Sequence, residues 1–214
     1  MPIISRPVLR SGTTRRNVAV VLALLLSACS LPLPQSPTGQ SNHSYTLEWS
    51  DGGTAPAQSP RRDTLLISPV HSTPGFDGSD MVYMRTPHEI EYFASHRWVD
   101  APARMLEPLL VRAAEQSGLF RNVVETGSGA DVDLRLDSKL IHLQQVCRLN
   151  PSELQLALRV TLSEVATAQV IASRTLRVSE AIEAKTPYAG VLAANRAVSQ
   201  LLQDLQAFLA EHVR

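Results

Sequence analysis

Of the 214 residues, 20 are Lys or Arg and 20 are Asp or Glu. The first 28 hold four of the basic residues and none of the acidic ones, so the remaining 186 carry a net charge of −4. That balance argues against nucleic acid as a partner and against a basic patch drawn to anionic headgroups, and the length suits one domain plus a tether.

The leader has Arg6, Arg10, Arg15 and Arg16, then an apolar run over residues 18–26, then Ser27-Ala28-Cys29. A basic start, a short apolar stretch and small residues before a cut is the plan of a secretory signal peptide. The run is about half the ~20 residues that a spanning helix needs. Leu26-Ser27-Ala28-Cys29 resembles a bacterial lipobox, whose cysteine is lipidated and becomes the first mature residue. Cys29 is then the lipidation site and the point of attachment to membrane lipid. Two or more chains, palmitate among them, hold a protein stably where one holds it marginally. With Cys29 acylated, Cys147 is the single free thiol and no intramolecular disulfide is available; it is expected as a half-buried strand residue.

Residues 30–43, rich in Pro, Ser and Gly, cannot bury enough surface to offset ordering and read as an extended tether. Alternation predicts a strand over 45–49, and residues 51–62 read as a loop. The run at 65–70 predicts a strand that ends at Pro69 or lies at an edge. Residues 81–85 and 89–93 predict a hairpin joined through Thr86-Pro87-His88. Asp100 is the expected N-cap of a helix with Pro102 in its first turn. Its stripe is Met105, Leu106, Leu109, Leu110 and Ala113, and Gly118 follows at C′. Pro108 falls inside the helix, but the stripe continues across it in register, which predicts one kinked helix rather than two.

A short strand is expected at 120–124. Three longer alternating strands follow. In the first, the apolar phase shifts by one at Ile141 and Leu143, the mark of a β-bulge. Asn150-Pro151 turns the chain. Leu154, Leu156, Leu158, Val160 and Leu162 then alternate without error, and a last strand runs over 170–182. Thr186 and Pro187 open a closing helix with a stripe from Val191 to Leu209. One-sided strands and two amphipathic helices predict an α+β fold, a mainly antiparallel sheet with both helices on one face.

Candidate chemistry is thin. Gly127-Ser128-Gly129 lacks the Gly-x-Ser-x-Gly spacing of a nucleophile elbow. His88 and His96 are eight apart, the wrong register for a helical zinc pair, and read with Glu89 and Glu91 as surface residues. Asp131, Asp133 and Asp137 share a strand face, but Arg135 and Lys139 interleave and would compete with a cation. No Walker motif is present. No catalytic residue, metal or cofactor is expected. The aromatic cluster Tyr83, Tyr92, Phe93 and Trp98 reads as core, with Trp98 alternatively an interface anchor. The strand at 154–162 shows only Arg159 as a charge on its polar face, a weakly guarded edge open to a partner or to a second copy of the chain.

The stretch from Pro74-Gly75-Phe76-Asp77 through Met81-Val82-Tyr83, Ile90-Glu91-Tyr92-Phe93, Arg97-Trp98-Val99-Asp100, Pro102-Ala103-Arg104-Met105-Leu106 and Pro108-Leu109-Leu110 to Ser117-Gly118-Leu119-Phe120-Arg121 resembles the ABC-type transport auxiliary lipoprotein family. Tyr45-Thr46-Leu47 and Ile67-Ser68-Pro69-Val70 fit the family's opening strands, so the likeness covers nearly all of the mature chain. It implies a signal peptide over 1–28, a lipidated cysteine and tether over 29–43, and an auxiliary domain over 44–214. It further implies a non-enzymatic periplasmic lipoprotein working with a mammalian-cell-entry (MCE) substrate-binding protein, a permease and an ATPase, in the movement of lipid or another hydrophobic solute between membranes. Ser30, in place of aspartate after the cysteine, points to the outer membrane. The competing readings are a scaffold lipoprotein without a transporter and an anchored periplasmic enzyme.

Overall fold

The computed structural model describes residues 42–49 and 63–213. Cys29, the leader and most of the tether lie outside the described residues. Nine strands form one sheet: β1 (His43–Tyr45), β2 (Thr64–Ile67), β3 (His71–Ser72), β4 (Asp80–Met84), β5 (Glu91–Trp98), β6 (Asn122–Glu125), β7 (Leu134–Val146), β8 (Glu153–Glu164) and β9 (Val170–Ala181). Among the described residues there are two helices, α1 (Pro102–Gln116) and α2 (Pro187–His212).

The thirteen-residue β7 organises the sheet. Along one side it pairs antiparallel with β8, which pairs antiparallel with β9. Along the other it takes three short strands in series, all parallel: β2 at Leu134–Leu136, β3 at Lys139–Leu140 and β4 at Gln144–Val146. From β2 the sheet continues to β6, and from β4 through β5 to β1. The ladder between β7 and β8 slips between Leu140 and His142, which is the expected bulge. It carries the apolar phase from Leu136 and Leu140 to Leu143, so the same face stays buried.

The fold is α+β, as the pattern predicts, with both helices on one face. α1 packs over β2, β6 and β7, and α2 over β8 and β9. The helices meet each other, and Gln206 Nε2 donates to the Ala113 carbonyl at 3.0 Å. A single core joins Leu136, Leu140, Leu156, Leu158 and Leu162 of the sheet to Leu106 and Leu110 of α1 and to Leu201, Leu205 and Phe208 of α2. Each of these is fully buried, worth about 1.5–3 kcal/mol apiece against exposure.

Local signals at the helix ends are mostly as read. Thr186 caps α2, its hydroxyl accepting from the Ala189 N–H at 3.2 Å, and Pro187 takes the first helical position. Gly118, at φ +65°, follows the Ser117 C-cap of α1. Pro108 lies inside one continuous helix. Asp100 does not cap α1. The N-cap is Ala101, without a side-chain cap, and the Asp100 carboxylate instead accepts from the Ala101 N–H and pairs with Arg104 one turn on. A strong cation at i+4 outcompetes the unformed cap for the same oxygens.

Four further expectations are corrected. β1 is shorter and earlier than the strand read over 45–49 and takes in His43 from the expected tether, although Leu47 and Trp49 beyond it are still buried. β5 runs on to Trp98 rather than ending at Phe93, which places Trp98 at 3% exposure in the core and leaves no indole surface for a partner. Tyr92, read as core, is instead exposed. β8 is not an edge: β7 and β9 pair with it on both sides, so Arg159 marks an interior strand. The run at 65–70 takes the first of its two alternatives: the strand ends before Pro69, and it is interior, paired with β6 and β7.

Candidate functional site

Two surfaces carry the unusual chemistry. The first is the sheet face turned away from the helices. The β7 residues that alternate with the buried ones, Arg135, Asp137 and Lys139, stand opposite Ser163, Thr161 and Arg159 of β8. Arg135 pairs with Asp137 at 2.7 Å, and the Thr161 and Ser173 hydroxyls bond at 3.0 Å. Lys139 and Arg159 form no ion pair among the described residues, nor does Arg177 of β9 beside them. The face therefore holds three uncompensated cations on rigid strands. Burial, and secondarily the nearby Arg177 charge, push the His142 imidazole below its ordinary value, so it adds no charge at neutral pH.

The second is a cavity of about 280 Å³ at the foot of α2, on the helix side of the sheet. Tyr83 of β4 and Gln145 of β7 are register partners and project into it together. Phe93, packed on Tyr83 with ring centroids 4.5 Å apart, Ile182 and Pro187 complete its apolar wall. At its mouth the Arg85 guanidinium lies 5.6 Å from the Tyr83 ring centroid and grips Glu91, with Nε to Oε1 at 2.8 Å. The Tyr83 hydroxyl donates to Glu91 Oε2 at 3.0 Å. The hydrogen bonds from Arg85 hold the Glu91 carboxyl below its ordinary range, and donating to Glu91 raises the Tyr83 hydroxyl above its ordinary value. Cys147, expected half-buried on a strand, is exposed one residue past β7 and opens onto the cavity. Burial of its sulfur against the wall pushes the thiol up, so it stays protonated at neutral pH.

The other sequence candidates separate. His88 sits in the β4–β5 turn at φ +68°, while His96 stacks on His43 and bonds the Tyr45 hydroxyl at 2.9 Å. Asp133 accepts from the Thr64 N–H at 2.7 Å, closing the start of β2, and Asp137 is held by Arg135. Among the described residues no three His, Cys, Asp or Glu side chains converge on a metal position. No described helix is long and apolar enough to cross a membrane.

Comparison with known proteins gives the family. No curated protein matches the sequence at a significant level. Among solved structures, protein XCC0632 of Xanthomonas campestris superposes with a TM-score of 0.68 at 20% identity, over 78% of this chain and 96% of that one. The hypothetical protein CT253 of Chlamydia trachomatis superposes with a TM-score of 0.51 at 8% identity, over 72% and 98%. At these identities the likeness is one of fold. The model of the ABC-type transport auxiliary lipoprotein component matches residues 45–206, from β1 to the last turns of α2, and the chain belongs to that family.

Proposed function

We propose that the protein is a non-enzymatic auxiliary subunit of an MCE-type ABC transport system that moves lipid or another hydrophobic solute between membranes. In this reading residues 1–28 are removed and acylated Cys29 holds the chain at the periplasmic side of the outer membrane. Residues 29–43 are the tether and 44–214 the working domain. The observation that carries the reading is the family match over residues 45–206. The lipobox-like Leu26-Ser27-Ala28-Cys29 at the end of the apolar leader supports it from the sequence.

The partners are the MCE substrate-binding protein with its permease and ATPase, met by the cationic sheet face around Arg159. Uncompensated cations on rigid strands suit an acidic protein surface, and they set encounter rate and orientation more than affinity. A ring of identical copies is the second arrangement compatible with that face. Cys29→Ala tests the anchor: the variant should be folded and lost from membrane fractions, with no incorporation of labelled palmitate. Retention equal to the parent refutes it. Cross-linking from position 159 in cells, resolved by mass, tests the partner, and capture of neither the MCE protein nor a second copy refutes the contact.

A further inference from the structure

We propose that the cavity at the foot of α2 is a binding site for a slender single-chain amphiphile with a carboxylate head, held at the mouth by Lys185. The inference needs neither the acyl anchor nor the transporter and stands apart from both.

The observation that carries it is Gln145. The residue is 4% exposed and lines the cavity, yet among the described residues its side-chain amide makes no hydrogen bond. Its side-chain nitrogen and oxygen are not sealed from solvent, so the amide opens onto the cavity and offers a donor and an acceptor there to a ligand. Its position is built. The amide lies against Gly190 in the first turns of α2, where a Cβ would come within 2.0 Å of Nε2. Only glycine leaves room for the amide to reach the cavity.

The walls and rim define the chemistry. Tyr83, Phe93, Ile182 and Pro187 give apolar surface suited to a hydrocarbon chain. No carboxylate lines the cavity, and Glu91 is already taken by Arg85 and Tyr83, two residues that do. Lys185 stands at the rim, exposed and without an ion pair among the described residues. The local charge is therefore positive and the interior apolar, which selects an anionic head over a neutral or cationic one. At about 280 Å³ the volume falls just below the ~300–1,000 Å³ range of ligand pockets, too small for a two-chain lipid but wide enough for one chain. The Cys147 thiol on the wall reports occupancy without taking part in it.

The test uses residues 30–214, which hold every residue of the described core and whose single cysteine is Cys147. Alkylation of Cys147 by a maleimide is timed against sodium laurate below its micellar concentration, with 1-dodecanol and sodium acetate as controls. Laurate at about four times its Kd should slow alkylation about fivefold by mass action. Equal concentrations of dodecanol or acetate should leave the rate within about twofold. Lys185→Ala and Gln145→Met should each raise the half-saturating laurate concentration about tenfold, the loss of one charge-assisted or buried hydrogen bond. Because Lys185 is exposed, its variant keeps the parent's thermal midpoint, which separates lost binding from lost fold. No protection up to the solubility of laurate overturns the proposal. So does equal protection by dodecanol together with an unshifted Lys185→Ala curve.

Discussion

Lys139 of β7 and Arg159 of β8 stand directly opposite each other in the antiparallel ladder, on the sheet face turned away from the helices. Like charges so placed repel, and no carboxylate among the described residues is paired with either. Replacing Arg159 by Glu converts the repulsion into a cross-strand ion pair. Arg159→Glu should raise stability by about 0.2–1 kcal/mol in urea unfolding at low salt. The same change should weaken association with an acidic partner, which co-purification from cells would measure. A variant both less stable and equally well bound would remove this face from the account.

Pro108 lies on the exposed side of α1, its ring where Arg104 would otherwise receive an intrahelical hydrogen bond. Pro108→Ala restores that bond without touching the core residues on either side. Thermal unfolding should show stabilisation of about 1–3 kcal/mol. Unchanged transport by the stabilised variant would mean that the proline is merely tolerated, and impaired transport that the helix shape is used.

Thr186 is the one polar side chain that meets the open N–H groups at the start of α2. Thr186→Ala should cost about 1 kcal/mol. The loss should be visible as a lower urea midpoint with unchanged m-value.

Asp100 gives a pH test at the opposite helix. The Arg104 guanidinium, and then the Ala101 N–H, depress its carboxyl from 3.8 to about 2. A carboxyl depressed on folding contributes stability that is present in full above its unfolded value and is lost as pH falls through the folded one. The stability difference between parent and Asp100→Asn should therefore be constant above about pH 5 and fade between pH 4 and 2. It should also shrink in salt, because both side chains are exposed. A difference that persists unchanged at pH 2 would mean that the pair contributes nothing.

The helices and the β7–β8–β9 meander were legible in the sequence, because each rests on neighbours a few residues apart. Leu154 to Leu162 alternates, Thr186-Pro187 caps, and Ile141 with Leu143 breaks phase where the bulge falls. The parallel attachments of β2, β3 and β4 were not legible. Leu66 meets Arg135 across 69 positions, and nothing local in either segment records that register. The reach of β5 to Trp98 was missed because Ala94-Ser95-His96-Arg97 is too polar to read as strand, and only pairing with β1 and β4 makes it one. The cavity was hidden for the same reason: it exists where Gln145 meets Gly190, 45 residues further along the chain. The lipobox-like tetrapeptide is the reverse case, plain in sequence and outside the described residues.

The serial docking of three strands along a single edge of β7 also sets an order of events in time. β2, β3 and β4 come early in the chain, yet the template that aligns them comes some sixty to seventy residues later. A chain made or delivered N-terminus first must hold these short segments unassembled until β7 arrives. The β7–β8 and β8–β9 hairpins, built from nearby residues, can close at once. The late half of the molecule is thus the mould and the early half the casting. Truncation before β8 should leave a protease-sensitive chain, whereas a fragment starting at β7 should retain strand signal in circular dichroism. Any factor that escorts this protein would be expected to grip the residues ahead of α1.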